Sequence, residues 1–250
     1  MTRIVRVEGE RTTELEDELV VEEPLEIRLD GKPVSVTLRT PGDDFDLAAG
    51  FLYTESILRA RDEVASIRHW GSPNVVRVSL NDGVKVDLQR LQRHFYSTSS
   101  CGVCGKTSID AVRVQTAPID ERLAVPAAIM TTLPETLRAQ QKTFDATGAI
   151  HAAGIFAPDG TLLRMREDVG RHNAVDKAIG SFFREGESLA GTILCVSGRA
   201  SFEIVQKAIV ARIPMLVAVG APSTLAVELA QTLGLALAGF VRDGRFNRYA

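Results

Sequence analysis

The sequence predicts an α/β protein, with a C-terminal domain on a mixed or mostly parallel sheet covered by helices on both faces and a smaller α+β N-terminal domain before it. Three observations lead to this. After about residue 125, strand-like and helix-like segments follow in the order α-β-β-α-β-α-β-α-β-β, and strands separated by helices at such spacing pair in one sheet. Before about Ala117, short alternating segments joined by tight turns dominate. The composition is that of an ordinary globular chain, 250 residues with 45% hydrophobic and 24% charged. The change of texture divides the chain into 1–125 and 126–250.

In the first part, Leu25, Ile27 and Leu29 alternate with polar neighbours, Asp30-Gly31 turns the chain, and Val34, Val36 and Leu38 alternate again, which predicts a hairpin. Thr40-Pro41-Gly42-Asp43-Asp44 carries turn and cap chemistry for a helix through Leu47, Ala48, Phe51 and Leu52. Strands are expected over Glu63–Arg68 and Val75–Leu80, and a turn at Asn81-Asp82-Gly83 leads to a return strand with Val84, Val86 and Leu88. In the second part, a helix is expected from Leu133 to Ala146, stopped by Gly148. Strands Ile150–Ala157 and Leu162–Arg166 flank Pro158-Asp159-Gly160. A helix over Ala174–Phe183 buries Val175, Ala178, Ile179 and Phe182. Thr192–Ser197 and Met215–Val219 read as buried strands. Ser201 caps the helix of Ile204, Val205, Ala208 and Ile209, and Pro222-Ser223-Thr224 starts a helix to Thr232. Leu235–Arg242 and Phe246–Tyr249 close the chain as a hairpin across Asp243-Gly244.

Charge and cysteine usage narrow the function classes. Lys+Arg 29 against Asp+Glu 32 gives a formal net charge of −3, unlike the basic balance of generic nucleic-acid binders. No apolar run approaches the roughly 18 residues of a membrane span, and the first residues contain no apolar core of a secretory signal. Three cysteines cannot staple a secreted scaffold. The expectation is a cytoplasmic protein whose partners include neither nucleic acid nor membrane.

The strongest local chemistry is Ser99-Ser100-Cys101-Gly102-Val103-Cys104-Gly105-Lys106. Glycines expose the two thiols, and nearby N–H groups and a lysine favour the thiolate, the reactive form. Half a zinc site, a thioredoxin-type dithiol, a nucleophilic or sulfur-carrying cysteine, and an inert pair are the competing readings. A structural zinc site needs about four ligands, and Cys195 lies in an apolar strand. A thioredoxin motif belongs to a βαβ unit that is missing here.

Three strand-to-helix junctions carry the other candidates. Arg166 to Lys177 holds Asp168, Arg171, His172 and Asn173, where open α/β sheets bind ligands and a helix N-terminus favours anions, although caps and ion pairs account for any one of these residues alone. Ser197-Gly198-Arg199-Ala200-Ser201 and Gly220-Ala221-Pro222-Ser223-Thr224 make the second and third, and all three should converge on one sheet edge. His151, in an apolar strand, reads as a core residue. Phe240-Val241-Arg242-Asp243-Gly244-Arg245 offers a ring and two arginines around a tight turn, fit for a heterocycle and phosphates or for a plain hairpin.

Cys101 to Gly105, Asp168 to Asn173, Ser197 to Arg199 and Phe240 to Arg245 together resemble the FdhD/NarQ family of formate dehydrogenase accessory proteins, over nearly the whole chain. The resemblance implies a sulfurtransferase and carrier that takes sulfur from a cysteine desulfurase and passes it, as a persulfide, to the molybdenum or tungsten cofactor of formate dehydrogenase. Cys101 would hold the persulfide and Cys104 assist. The cofactor, Mo-bis(molybdopterin guanine dinucleotide), would be bound as substrate by Phe240, Val241, Arg242, Asp243, Gly244 and Arg245, with Arg199 and His172 as further candidates, and no metal site is expected. The resemblance also implies a cytidine-deaminase-like, three-layer C-terminal domain. A zinc deaminase needs His-x-Glu and Pro-Cys-x-x-Cys. Here Ala152 and Ala153 follow His151, and Pro222 to Leu225 lacks a thiol. A cofactor-binding chaperone that moves no sulfur is the alternative function. The apolar closing segments point to a homodimer.

Overall fold

The computed structural model describes residues 1–86 and 116–250. The chain opens with strands β1 (Thr2–Glu8) and β2 (Arg11–Asp17), an antiparallel hairpin exposed along most of its length. Nothing in its sequence alternates strongly enough to announce it. β3 (Glu23–Leu29) and β4 (Lys32–Arg39) form the expected hairpin, and Asp30 and Gly31 both take positive φ, as a two-residue turn of this kind requires. The alternation expected on β4 does not hold. The register shifts opposite Ile27 and Arg28, so Val34 is buried while Val36 and Leu38 face outward. Arg39 takes the inward position and grips Asp44 with two hydrogen bonds of 2.8 and 2.9 Å.

Helix α1 (Asp44–Thr54) follows, then β5 (Val64–His69) and β6 (Val75–Leu80). These strands complete a four-stranded sheet in the order β4-β3-β6-β5, with β3 and β6 parallel. The expected return strand is not there: 84–86 form no strand, and Leu88 lies outside the described residues.

In the second part, the expected helix over 133–146 is two. α2 (Ala127–Arg138) begins earlier, and α3 (Lys142–Thr147) follows a break at 139–141. Gly148 ends α3 in the left-handed region, as expected. β7 (His151–Phe156) and β8 (Leu162–Asp168) lead to α4 (Arg171–Glu185), β9 (Ile193–Val196), α5 (Phe202–Val210), β10 (Met215–Ala218), α6 (Thr224–Leu233), β11 (Ala236–Arg242) and β12 (Arg245–Arg248). The six strands run β12-β11-β10-β9-β7-β8. β9, β10 and β11 are parallel, while β7, β8 and β12 make the antiparallel pairings of a mixed sheet.

Strand alternation sorts the core onto two faces. Leu194, Val196, Leu216 and Ala218 pack with α4, α5 and α6, whereas Ile193, Cys195, Met215 and Val217 pack with Met130, Leu133 and Leu137 of α2. The sheet is thus the middle of three layers. Cys195 is buried there and burial pushes its thiol pKa up, the inert role expected of it. Ser201 stands at the N-cap of α5 without a side-chain cap bond, unlike Ser223, whose oxygen accepts from the Ala226 N–H.

α4 is buried along most of its length because its outer side carries α1. The two helices run antiparallel at backbone contact. A Cβ on Gly50 would lie 1.8 Å from the Asp176 carbonyl oxygen, and one on Gly180 would lie 1.9 Å from that of Asp46. Over α1 lies the four-stranded sheet, whose Leu25, Ile27, Val76 and Val78 enclose Leu47, Ala48 and Leu52 together with Phe183 of α4.

Candidate functional site

The three junctions meet at the carboxyl edge of the six-stranded sheet. The Gly220 N–H donates to the Gly198 oxygen (2.9 Å), the Ser223 N–H to Ala200 (3.1 Å), and the Phe240 N–H to Gly220 (3.2 Å). Close approach demands small residues here: a Cβ on Gly220 would sit 3.0 Å from Arg199 Cα, and one on Gly239 would meet Pro222 at 2.9 Å. Beyond Gly239 the β11–β12 register shifts, with Phe240 at positive φ, and Asp243 and Gly244 then turn the chain in the left-handed region. The shift and the turn present Arg242 at the end of β11.

A cavity of about 1040 Å³ opens at this edge. Ser197, Val219, Val241, Arg242 and Asp243 come from the ends of the parallel strands. His151 and Val169 reach the same edge because β7 runs against β9 and β8 against β7. The opposite wall comes from α2, α3 and their junction, including Leu137, Arg138, Gln141 and Phe144. Arg138 lies over the Phe144 ring at 4.4 Å and pairs with Asp145 at 2.7 Å. A crevice outside the carboxyl ends of parallel strands is where open α/β sheets hold ligands.

The family model described as FdhD/NarQ family matches residues 20–250. The chain belongs to the FdhD/NarQ family. Among curated FdhD/NarQ relatives, a protein of Mycolicibacterium paratuberculosis named sulfur carrier protein FdhD is 51% identical over 92% of this chain and 89% of its own. One of the same name from Streptomyces avermitilis is 48% identical over 99% of this chain and 92% of its own. A crystal structure described as that of a formate dehydrogenase accessory protein from Desulfotalea psychrophila shares the fold, with a TM-score of 0.79 at 22% identity over 100% of this chain and 95% of that one.

The FdhD/NarQ motif residues separate in space. Val241, Arg242 and Asp243 line the cavity, whereas Phe240, Gly244 and Arg245 are not among its lining residues, and Arg199 is exposed on the β9–α5 connection. His172 is buried away from the wall, its Nε2 3.1 Å from both Ser201 Oγ and Glu203 Oε2. Cys101 and Cys104 lie outside the described residues. Within the Asp168–Asn173 block, Val169 reaches the cavity, whereas Asp168 and Asn173 join the two parts of the chain. Asp168 is fully buried, pairs with Lys177 at 2.8 Å and accepts from the Thr40, Gly170 and Asn173 nitrogens, while Asn173 donates to the Leu38 oxygen and Lys177 to that of Thr40. Caps and ion pairs, the plainer reading of these residues, describe Asp168 and Asn173.

Among the cavity residues that the sequence does not mark as belonging to a site are His151 and Gln141. His151 reads as core, yet burial and the charge of Arg171 hold its imidazole below the ordinary 6.5, against the opposing pull of Asp168. Its NMR titration should therefore have a midpoint below 6.5, leaving a neutral ring at pH 7; a midpoint at or above 6.5 would contradict this environment. Because the folded pKa is depressed, the unfolded chain binds the proton more readily, and His151 costs stability as the pH falls below 6.5. Gln141 sits in the break between α2 and α3. Its only sequence signal would have been that break.

Proposed function

We propose that the protein is a sulfur carrier that serves formate dehydrogenase, with Mo-bis(molybdopterin guanine dinucleotide) bound as its substrate. The observation that carries this reading is the cavity at the carboxyl edge, with Val241, Arg242 and Asp243 in its wall. Membership of a family whose members include sulfur carrier proteins supports it. Arg242 meets phosphate charge at the cavity mouth, where guanidinium is well matched to phosphate oxygens. Leu137, Ile150, Val219 and Val241 give apolar wall against which a flat heterocycle packs. The neutral His151 adds one N–H donor and one ring-nitrogen acceptor.

In the transfer, the Cys101 thiolate attacks the outer sulfur of a desulfurase persulfide. The desulfurase thiolate leaves, and Cys101 carries the sulfane sulfur. Attack of the Cys104 thiolate on Cys101 Sγ then forms a disulfide between the two and expels sulfide to the metal of the bound substrate. A thiol reductant restores the pair for the next round. A reducing cytoplasm suits this cycle.

Incubation with a cysteine desulfurase and cysteine should add one sulfur to the Cys101 peptide, read by mass spectrometry, and Cys101→Ala should lose nearly all formate dehydrogenase activity in cells lacking the native protein. An unmodified peptide together with full activity of Cys101→Ala would overturn sulfur transfer. Activity retained in a Cys101→Ser/Cys104→Ser double variant but lost in Arg242→Ala would identify a chaperone that only holds the cofactor.

A further inference from the structure

Gln141 is 2% exposed, stands in the wall of the cavity, and its Nε2 has no hydrogen-bond partner. Buried amide groups are nearly always satisfied, so each exception calls for an explanation. The main chain around it is engaged: the Gln141 N–H donates to Arg138 (3.1 Å) and its carbonyl accepts from Asp145 (3.0 Å). The break between α2 and α3 thus holds the residue in place while its Nε2 is left unpaired. Among the described residues, no other cavity-lining side chain has a buried polar atom in this condition. A glutamine that served only the fold would gain by pairing or by replacement with an apolar residue of its size.

We propose that Gln141 determines specificity for the heterocycle of the guest, its Nε2 donating to the carbonyl oxygen of a lactam ring. This rests on the reading of the cavity as a pterin-dinucleotide site. Guanine and pterin share that lactam, an N–H beside a C=O in a six-membered ring, and the other atom of the carboxamide, Oε1, is complementary to the ring N–H. Leu137, Ile150 and Val241 add apolar surface to the same cavity wall, and a guest without the carbonyl leaves the buried amide unsatisfied. Arg242, at the end of β11, supplies the charge that holds phosphate, and the two residues divide recognition between ring and phosphates.

Calorimetric titration of the full-length protein with guanosine diphosphate, 6-carboxypterin and inorganic pyrophosphate tests this, using Gln141→Met and Arg242→Ala. Gln141→Met should weaken guanosine diphosphate or 6-carboxypterin about tenfold, leave pyrophosphate unchanged and melt no lower than the native protein. Loss for only one of the two ring compounds assigns the lactam to that heterocycle. Arg242→Ala should weaken guanosine diphosphate and pyrophosphate alike. If Gln141→Met binds both ring compounds as the native protein does while Arg242→Ala weakens guanosine diphosphate and pyrophosphate, the inference about Gln141 falls and the site reading stands. Equal weakening of pyrophosphate by Gln141→Met, or a lower melting temperature, would reduce Gln141 to a structural part. If the native protein binds neither ring compound, both readings fall.

Discussion

Gly50→Ala and Gly180→Ala will each destabilise the protein by about 4 kcal/mol or more, among the largest effects a single methyl group produces. α1 and α4 touch through backbone at these two positions. The Cβ of an alanine at 50 would fall 1.8 Å from the Asp176 oxygen and 2.6 Å from its carbonyl carbon, and one at 180 would fall 1.9 Å from the Asp46 oxygen. The obstacle is main chain, so no rotamer change relieves it and the helices must separate. Separation would pull at Asp46, which holds Arg166 and Arg184 from the same ridge of α1, and at Thr54, which donates to Asp176 at 2.8 Å. The gain in helix propensity from glycine to alanine is about 1 kcal/mol and is outweighed. Urea denaturation measures the loss. Gly186→Ala is the control, since that glycine ends α4 at a φ of 69° with nothing within 4 Å of its Cβ position, and it should cost only about 1 kcal/mol. A Gly50→Ala protein within 1 kcal/mol of the native one would show that the helices do not meet in this way.

Lys207→Met will cost roughly 3–5 kcal/mol at neutral pH, because it strands a buried carboxylate. Lys207 Nζ donates to both Asp176 oxygens at 2.8 and 2.9 Å and to Thr54 at 2.9 Å, and both charged residues are nearly sealed from solvent. Burial raises the pKa of Asp176 above its ordinary 3.8 even with Lys207 pulling it down. Without the lysine it rises further. A carboxyl group with a raised folded pKa binds its proton more tightly when folded, so folding gains as the pH falls through that pKa toward 3.8. The variant gains over a wider interval than the native protein. The deficit should therefore be largest at pH 7 and shrink in acid, as denaturation curves across the pH range will show. A deficit that grew in acid would place the charge elsewhere.

These two helices also mark the boundary of what could be read in advance. Asp30-Gly31 and Asp243-Gly244 were legible as hairpins because positive φ at two successive residues is local chemistry, carried by the dipeptide itself. The apolar continuity of β9 and β10 was legible because both faces of a central strand are buried. The outward turn of Val36 and Leu38 was not, since an extra residue in β4 reverses the faces and leaves no local mark. Nor was the break at 139–141, where apolar spacing across the gap imitates one helix. The turns after Asp168, Ser197 and Val219 were expected to converge, and Val169, Ser197 and Val219 do line one cavity. Whether Asp168 and Asn173 meet a ligand or serve as caps and ion pairs was not legible, because polar residues at a strand end look alike whether they meet solvent, substrate or another part of the chain.

The sequence alone determined the mixed α/β class, the family, the paired thiols and the arginine-bearing turn, because periodicity, turn dipeptides and motifs are properties of neighbouring residues. Only the tertiary structure decided that Asp168 and Lys177 fasten the two sheets together, that α1 lies on α4 through Gly50 and Gly180, and that Gln141 and His151 share a cavity with Arg242. Those relations join residues far apart in the chain, and it is packing, with the desolvation it imposes, that turns one polar side chain into a joint and leaves another unpaired in a cavity wall.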